Sequence, residues 1–230
     1  MRLPSGPAWE LHLAEWLRPD RDYPLFIEAG SLYGVARNWF GLEGISQIMY
    51  DDRELFEEVV ATLADVVVAV LEHTLSAGVR PEAASMWEDM CYSGGPLMSP
   101  KIFKEVLVPH YKRITGTLNR YGVDIIFLDC DGKIDALAPL WLDAGVNTMF
   151  PIEVGKWKAD PLEFRRRYGK EMRLIGGVDK HVLMKTPTDI AAEVARLAPL
   201  VEEGGYIPLP DHRVPPDVPP APRPPIAPAL

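Results

Sequence analysis

The sequence predicts an α/β fold, a (β/α)8 TIM barrel with about six of its eight βα units present. Six short apolar runs alternate with longer amphipathic ones, the order that gives parallel strands joined by right-handed crossovers. Almost every apolar run ends in a carboxylate or a similarly polar residue: Glu28, Glu88 and Asp89, Asp129 and Asp131, Glu153, Asp179, then Asp211 and His212. Polar groups on consecutive strand ends suit a barrel mouth better than an open doubly wound sheet, whose site draws on fewer strands. The Gly94-Gly95 and Gly176-Gly177 pairs also lack the G-x-G-x-x-G spacing of a dinucleotide loop.

The elements follow in order. Trp9, Leu13 and Trp16-Leu17 have helix-like spacing, and Pro19-Asp20 breaks the pattern. The runs Leu25–Ala29, Ala83–Trp87, Val123–Leu128, Val146–Phe150, Arg173–Gly176 and Gly205–Leu209 read as strands covered on both faces. Between Asp52 and Ser76, Leu55, Val59, Leu63, Val66, Val67 and Val70 make one apolar stripe, with Gly78 as a stop. Ser99 caps a helix that Pro100 opens and Gly122 follows. Helices are also expected over Asp135–Ala144, Asp160–Tyr168 and Thr188–Glu203. The chain divides into a helical lead-in (1–23), a barrel domain (24–218) and a proline-rich tail (219–230).

Composition narrows the partners. The 230 residues carry 24 Lys plus Arg against 33 Asp plus Glu, a formal charge of −9, which argues against nucleic acid as a partner. The most apolar stretch, Val66–Leu71, is far short of the roughly 20 residues a bilayer needs, and no signal peptide is visible. Two cysteines, Cys91 and Cys130, make no disulfide framework and read as small packing residues. The expectation is a cytoplasmic protein without membrane contact.

Three segments carry a family likeness: Gly176-Gly177-Val178-Asp179-Lys180, Glu203-Gly204-Gly205-Tyr206-Ile207-Pro208 and Asp211-His212-Arg213-Val214-Pro215-Pro216. With Leu25–Gly30, Asp89–Pro109 and Asp129-Cys130-Asp131-Gly132, they resemble the uroporphyrinogen decarboxylase superfamily, which also contains zinc-dependent methyltransferases acting on corrinoids and thiols. The resemblance implies a (β/α)8 barrel whose third to eighth strands are present. It leaves two early strands, the last helix and the Pro219–Leu230 tail unaccounted for, so a partial gene product or an altered reading frame at the end is expected.

Candidate chemistry gathers at the strand ends. Asp129 and Asp131, two residues apart on an extended chain, face the same side and can share a metal or substrate group. In methyltransferase relatives these positions resemble His-x-Cys, and His212 stands where a later Cys completes a zinc site. The resemblance thus implies Asp129, Asp131 and His212 as ligands of zinc or another divalent metal, without the soft thiolates. The plain alternative is that Asp131-Gly132 is only a turn and that Asp129 caps the following helix. Glu88, Asp89, Asp179 and His212 are the candidate catalytic residues, with loop and helix capping as the plain alternative for Glu88, Asp89 and Asp179. Tyr33, Arg37, Asn38 and Glu153 are candidates for substrate binding, Arg suiting carboxylate or phosphate groups.

Three functions remain open at this point. The first is a decarboxylase- or methyltransferase-like barrel enzyme with a carboxylate- and His-lined mouth, acting on a tetrapyrrole, corrinoid or methylated compound. The second is decarboxylation of uroporphyrinogen in porphyrin biosynthesis, against which the acidic mouth would repel a polycarboxylate. The third is an inactive barrel fragment. Missing strands would expose sheet edges and favour a homodimer.

Overall fold

The computed structural model describes residues 2–155 and 157–218, so the tail segment 219–230 lies outside the described residues. The strands are β1 (Phe26–Glu28), β2 (Ala83–Trp87), β3 (Cys91–Tyr92), β4 (Gly95–Pro96), β5 (Ile126–Asp129), β6 (Thr148–Ile152), β7 (Arg173–Val178) and β8 (Tyr206–Pro210). β3 and β4 form a small antiparallel hairpin. The other six make one parallel sheet in the order β1-β2-β5-β6-β7-β8. Each strand lies beside its predecessor, with no reversal of order. A doubly wound sheet reverses at a switch point, whereas a barrel runs consecutively, so this sheet is a six-stranded arc of a (β/α)8-type barrel.

The helices are α1 (Pro7–Trp16), α2 (Tyr33–Asp51), α3 (Arg53–Ser76), α4 (Pro100–Ile102), α5 (Val108–Arg120), α6 (Ala138–Asp143), α7 (Pro161–Tyr168) and α8 (Pro187–Glu203). Their starts follow from capping: Asp52 accepts from the Leu55 N–H, Ser99 from Ile102 and Asp160 from Leu162, each satisfying an orphan donor. Thr186 and Asp189 form a reciprocal capping box that opens α8. The single helix expected over Ser99–Tyr121 is interrupted by a π-turn at Phe103–Leu107. Pro109 lacks an N–H and its ring crowds the carbonyl four residues back, which accounts for the widened turn. No helix among the described residues is long and apolar enough to cross a membrane.

The two faces of the sheet differ. On β5, Ile126 and Leu128 are buried toward the helices, while Phe127 and Asp129 are half-buried on the other face. Parallel register places Phe127 beside Ser85, and Ile175 beside Ile207, on that inner face. There Phe26 is 51% exposed, Ile207 55% and Leu209 42%. Among the described residues no strand pairs with the outer edge of β1 or of β8. The helix side is closed: α3 packs on α2 and α5, and Trp141 meets Phe103 edge-on at 5.4 Å. Arg165 on α7 is buried and donates to the Gly204 and Gly205 carbonyls, tying α7 to the negative end of α8.

Candidate active site

The C-terminal ends of β2, β5, β6, β7 and β8 enclose two adjoining cavities. The first, of about 480 Å³, is lined by Asp89, Asp129, Asp131, His212 and Arg213 with Trp87 and Phe150 as walls. The second, of about 780 Å³, is lined by Cys91, Tyr92, Glu153, Trp157, Asp179, Lys180 and His181. Asp131 and His212 line both. His212 Nε2 lies 3.3 Å from Asp131 Oδ2, and this pair forms the partition between them.

Each side chain is placed by its strand. Asp129 ends β5 on the inner face, and Asp131 follows beyond Cys130. The Asp131 N–H donates to Asp89 Oδ1 at 3.2 Å, drawing the β2 and β5 ends together. Gly132 follows in a left-handed conformation (φ 91°), and a Cβ there would stand 2.6 Å from the Cys91 backbone, so only glycine allows this approach. The Gly132 N–H donates to Glu153 at 2.6 Å, and the Trp157 indole N–H also binds that carboxylate.

Carboxylate crowding sets the electrostatics. Burial, then the charges of Asp131 and Asp89, push the Asp129 carboxyl up to about 6, with His212 opposing them. Glu153 is likewise raised, chiefly by burial. Among the described residues, two clusters have ligand atoms within 4.8 Å of one another: Asp131, Glu153 and His212, and Asp89, Asp129 and Asp131. The trio expected from the sequence, Asp129, Asp131 and His212, is therefore divided between two clusters that share Asp131. These donors are carboxylate and imidazole only, a set that fits a hard or borderline divalent ion.

Other expected site residues lie elsewhere. Glu88 is fully buried behind the mouth and lines neither cavity. Its carboxylate accepts from the Leu32, Tyr33 and Gly34 N–H groups, Ser31 Oγ and the Tyr111 phenol. Burial raises its pKa while these donors oppose the shift. The reason is alternation: with Asp89 aimed at the cavity, its neighbour Glu88 points into the wall, where it seats the start of α2. Tyr33 is also buried in that wall, with its hydroxyl making no hydrogen bond among the described residues. Arg37 donates to the Asp89 carbonyl and lies over the Trp87 ring at 5.4 Å, behind the first cavity. Asn38 is exposed on α2 and lines neither cavity. Asp179 reaches the second cavity but also caps the turn Lys180–Met184, accepting from the His181 N–H at 2.9 Å. Burial raises its pKa, and the His181 bonds outweigh that to leave it lowered.

Asp211 was not singled out from the sequence as a site residue. It is fully buried, accepts from the Val154, Gly155 and Lys180 N–H groups, and pairs with Lys180 Nζ at 3.2 Å. One carboxylate thereby joins the loops after β6, β7 and β8. Its signal is its place directly after an apolar strand and before His212, a position it shares with the other mouth residues.

Comparison with known proteins follows the same direction. The sequence profile of one family, described as Uroporphyrinogen decarboxylase (URO-D), matches residues 17–222. The uroporphyrinogen decarboxylase of Neisseria meningitidis serogroup C (strain 053442) is 28% identical over 160 residues, covering 66% of this chain and 41% of that protein. That of Legionella pneumophila (strain Lens) is 27% identical over 237 residues, covering 96% of this chain and 63% of that protein. The chain spans about half the length of the curated relatives it matches. A solved methyltransferase from Methanosarcina mazei superposes with a TM-score of 0.60 at 17% identity, over 84% of this chain and 54% of that one. At that identity the likeness is one of fold.

Proposed function

From the premise that this chain belongs to the uroporphyrinogen decarboxylase family, we propose that its mouth is the site of a metal-assisted, methyltransferase-like reaction on a small substrate. A tetrapyrrole, a corrinoid or a methylated compound is the substrate class of this reading, in a cytoplasmic setting. The observation that carries it is the Asp131–His212 pair at 3.3 Å, flanked by Glu153 on one side and by Asp89 and Asp129 on the other. Asp131 and His212, with Glu153, would hold the ion, and Asp129 would adjoin it. Such an ion supplies Lewis-acid polarisation of a substrate thiol or acceptor group. The chain's own residues do the rest: Asp131 fixes the His212 ring, the Gly132 N–H fixes Glu153, and Trp87 and Phe150 wall off water. Three carboxylates against one Arg213 in the first cavity favour a cation over a polycarboxylate.

Porphyrinogen decarboxylation is the second reading. The names of the curated relatives favour it, as does Asp129, whose pKa of about 6 suits proton delivery near neutrality. Metal analysis of the purified chain after equilibration with zinc or manganese tests the choice. The metal reading expects one ion per chain, lost in His212→Ala. No retained metal together with turnover of uroporphyrinogen would establish the second reading instead, and neither metal nor turnover would leave an inactive barrel fragment. The exposed inner face and open sheet edges make a homodimer part of the proposal.

A further inference from the structure

Asp179 and His181 follow β7 and line the larger cavity together with Asp131, Glu153 and His212. His181 Nδ1 lies 2.9 Å from Asp179 Oδ1, and the same oxygen accepts the His181 backbone N–H at 2.9 Å. Capping the Lys180–Met184 turn needs only the backbone bond, so the ring bond is additional. Asp179 is ionised near neutrality, and a carboxylate only accepts, so the ring carries its proton on Nδ1. The lone pair is then on Nε2, which meets no partner among the described residues. His212, the other histidine lining this cavity, has its Nε2 against Asp131 instead. The His181 side chain is 49% exposed. A Cβ on Gly155 would stand 3.1 Å from its ring, so glycine there gives the ring its seat.

We propose that His181 is the proton acceptor of the larger cavity, a catalytic base whose tautomer Asp179 fixes. This rests on the metal-assisted, methyltransferase-like reading of the mouth and names the residue that takes the proton. A thiol substrate gives its proton to Nε2: the S–H bond breaks, an N–H bond forms, and the electron pair stays on sulfur. That pair then forms the S–C bond to the methyl group of the donor, whose leaving group departs with its bonding pair. The resulting imidazolium keeps its Nδ1–H bond to Asp179, so the charge it gains faces a carboxylate. His181 touches the substrate, whereas Asp179 acts through His181 as a positioning residue.

The tautomer is read first, by nitrogen NMR of the metal-free chain labelled with 15N-histidine at pH 8. His181 should show Nδ1–H, the form that free histidine in water disfavours, and Asp179→Asn should shift it toward Nε2–H. Diethyl pyrocarbonate should modify His181 faster in the metal-free wild type than in Asp179→Asn. The tryptic peptide 181–185 reports this, because it contains no other histidine. Zinc should protect His212 and leave His181 reactive. In the zinc-loaded chain, methylation of 2-mercaptoethanol by methyl 4-nitrobenzenesulfonate should fall about a hundredfold in His181→Gln with the zinc retained. Nε2–H in the wild type, protection of His181 by zinc, or an undiminished rate in zinc-loaded His181→Gln would each overturn the proposal. A wild type that retains no zinc sinks the metal reading instead, while the tautomer and the modification rates, measured without metal, still decide the role of His181.

Discussion

The Tyr111 phenol donates a 2.6 Å hydrogen bond to the Glu88 carboxylate, and both residues are completely buried. Tyr111 belongs to α5 and Glu88 follows β2, so the bond ties the helix layer to the end of the sheet that forms the mouth. Removing the phenol leaves a buried carboxylate short of one donor, a loss of about 1.5–3 kcal/mol for a hydrogen bond to a charged group. Tyr111→Phe should lower the urea midpoint accordingly with an unchanged slope. Glu88→Ala should cost more, because it strands three N–H groups at the start of α2 together with Ser31 and Tyr111. Equal midpoints for wild type and Tyr111→Phe would show that the bond carries no net stability.

That same relationship marks where the sequence stops being readable. The alternation of apolar strands and amphipathic helices was legible, and so was the row of carboxylates on the strand ends, because both are local patterns. Glu88 looked like a mouth residue because strand ends alternate inward and outward, and sequence alone does not say which of Glu88 and Asp89 takes which side. The helix α2 is not legible in the sequence. Gly34, Gly41 and Gly44 make its segment look like loop, and Gly41 does break the helix with φ 73°. The α2 start is held instead by Glu88, more than fifty residues away. Likewise the division of the acidic residues into two clusters depends on His212 meeting Asp131 across 81 positions, which no spacing rule encodes.

Asp129 gives a pH prediction for the metal-free chain. Its carboxyl is raised from 3.8 to about 6 by burial and by Asp131 and Asp89. The folded state thus holds the proton more tightly than the unfolded one. The resulting stabilisation is full below about pH 4 and lost as the pH rises through 6. Above that range the folded chain carries a disfavoured charge, which Asp129→Asn removes. The variant should melt about 2–4 °C higher than wild type at pH 7.5, with the gap closing by pH 4. A constant difference at all pH values would mean that the charge is not the cause.

Asp211 should behave as the fastening of three loops. Its carboxylate takes three backbone N–H bonds and the Lys180 ammonium with no exposure to solvent. Asp211→Ala leaves the partly buried Lys180 without its partner and strands three backbone N–H groups, and should cost about 3–5 kcal/mol. Asp211→Asn keeps an acceptor oxygen and should fall between the two. Limited trypsin digestion supplies a local readout, since cleavage at Lys180 and Lys185 should accelerate before global unfolding does. Uniform loss of the whole fold, with no preferential cutting there, would contradict the fastening role.

The inner face of the arc predicts self-association. Phe26, Ile207 and Leu209 project from strands at the two ends of the sheet and remain between two-fifths and just over half exposed. The outer edges of β1 and β8 also carry backbone donors and acceptors that no described strand satisfies. Apolar surface next to an open edge is the arrangement that recruits another strand-bearing chain. Sedimentation velocity over a hundredfold concentration range should show a shift from monomer toward dimer. Charge is the standard obstacle to edge pairing, so Ile207→Lys combined with Phe26→Lys should move that shift to higher concentration while circular dichroism stays the same. A wild-type chain that sediments as a monomer throughout the range would show that this face is stable in water alone, and the homodimer would fall with it.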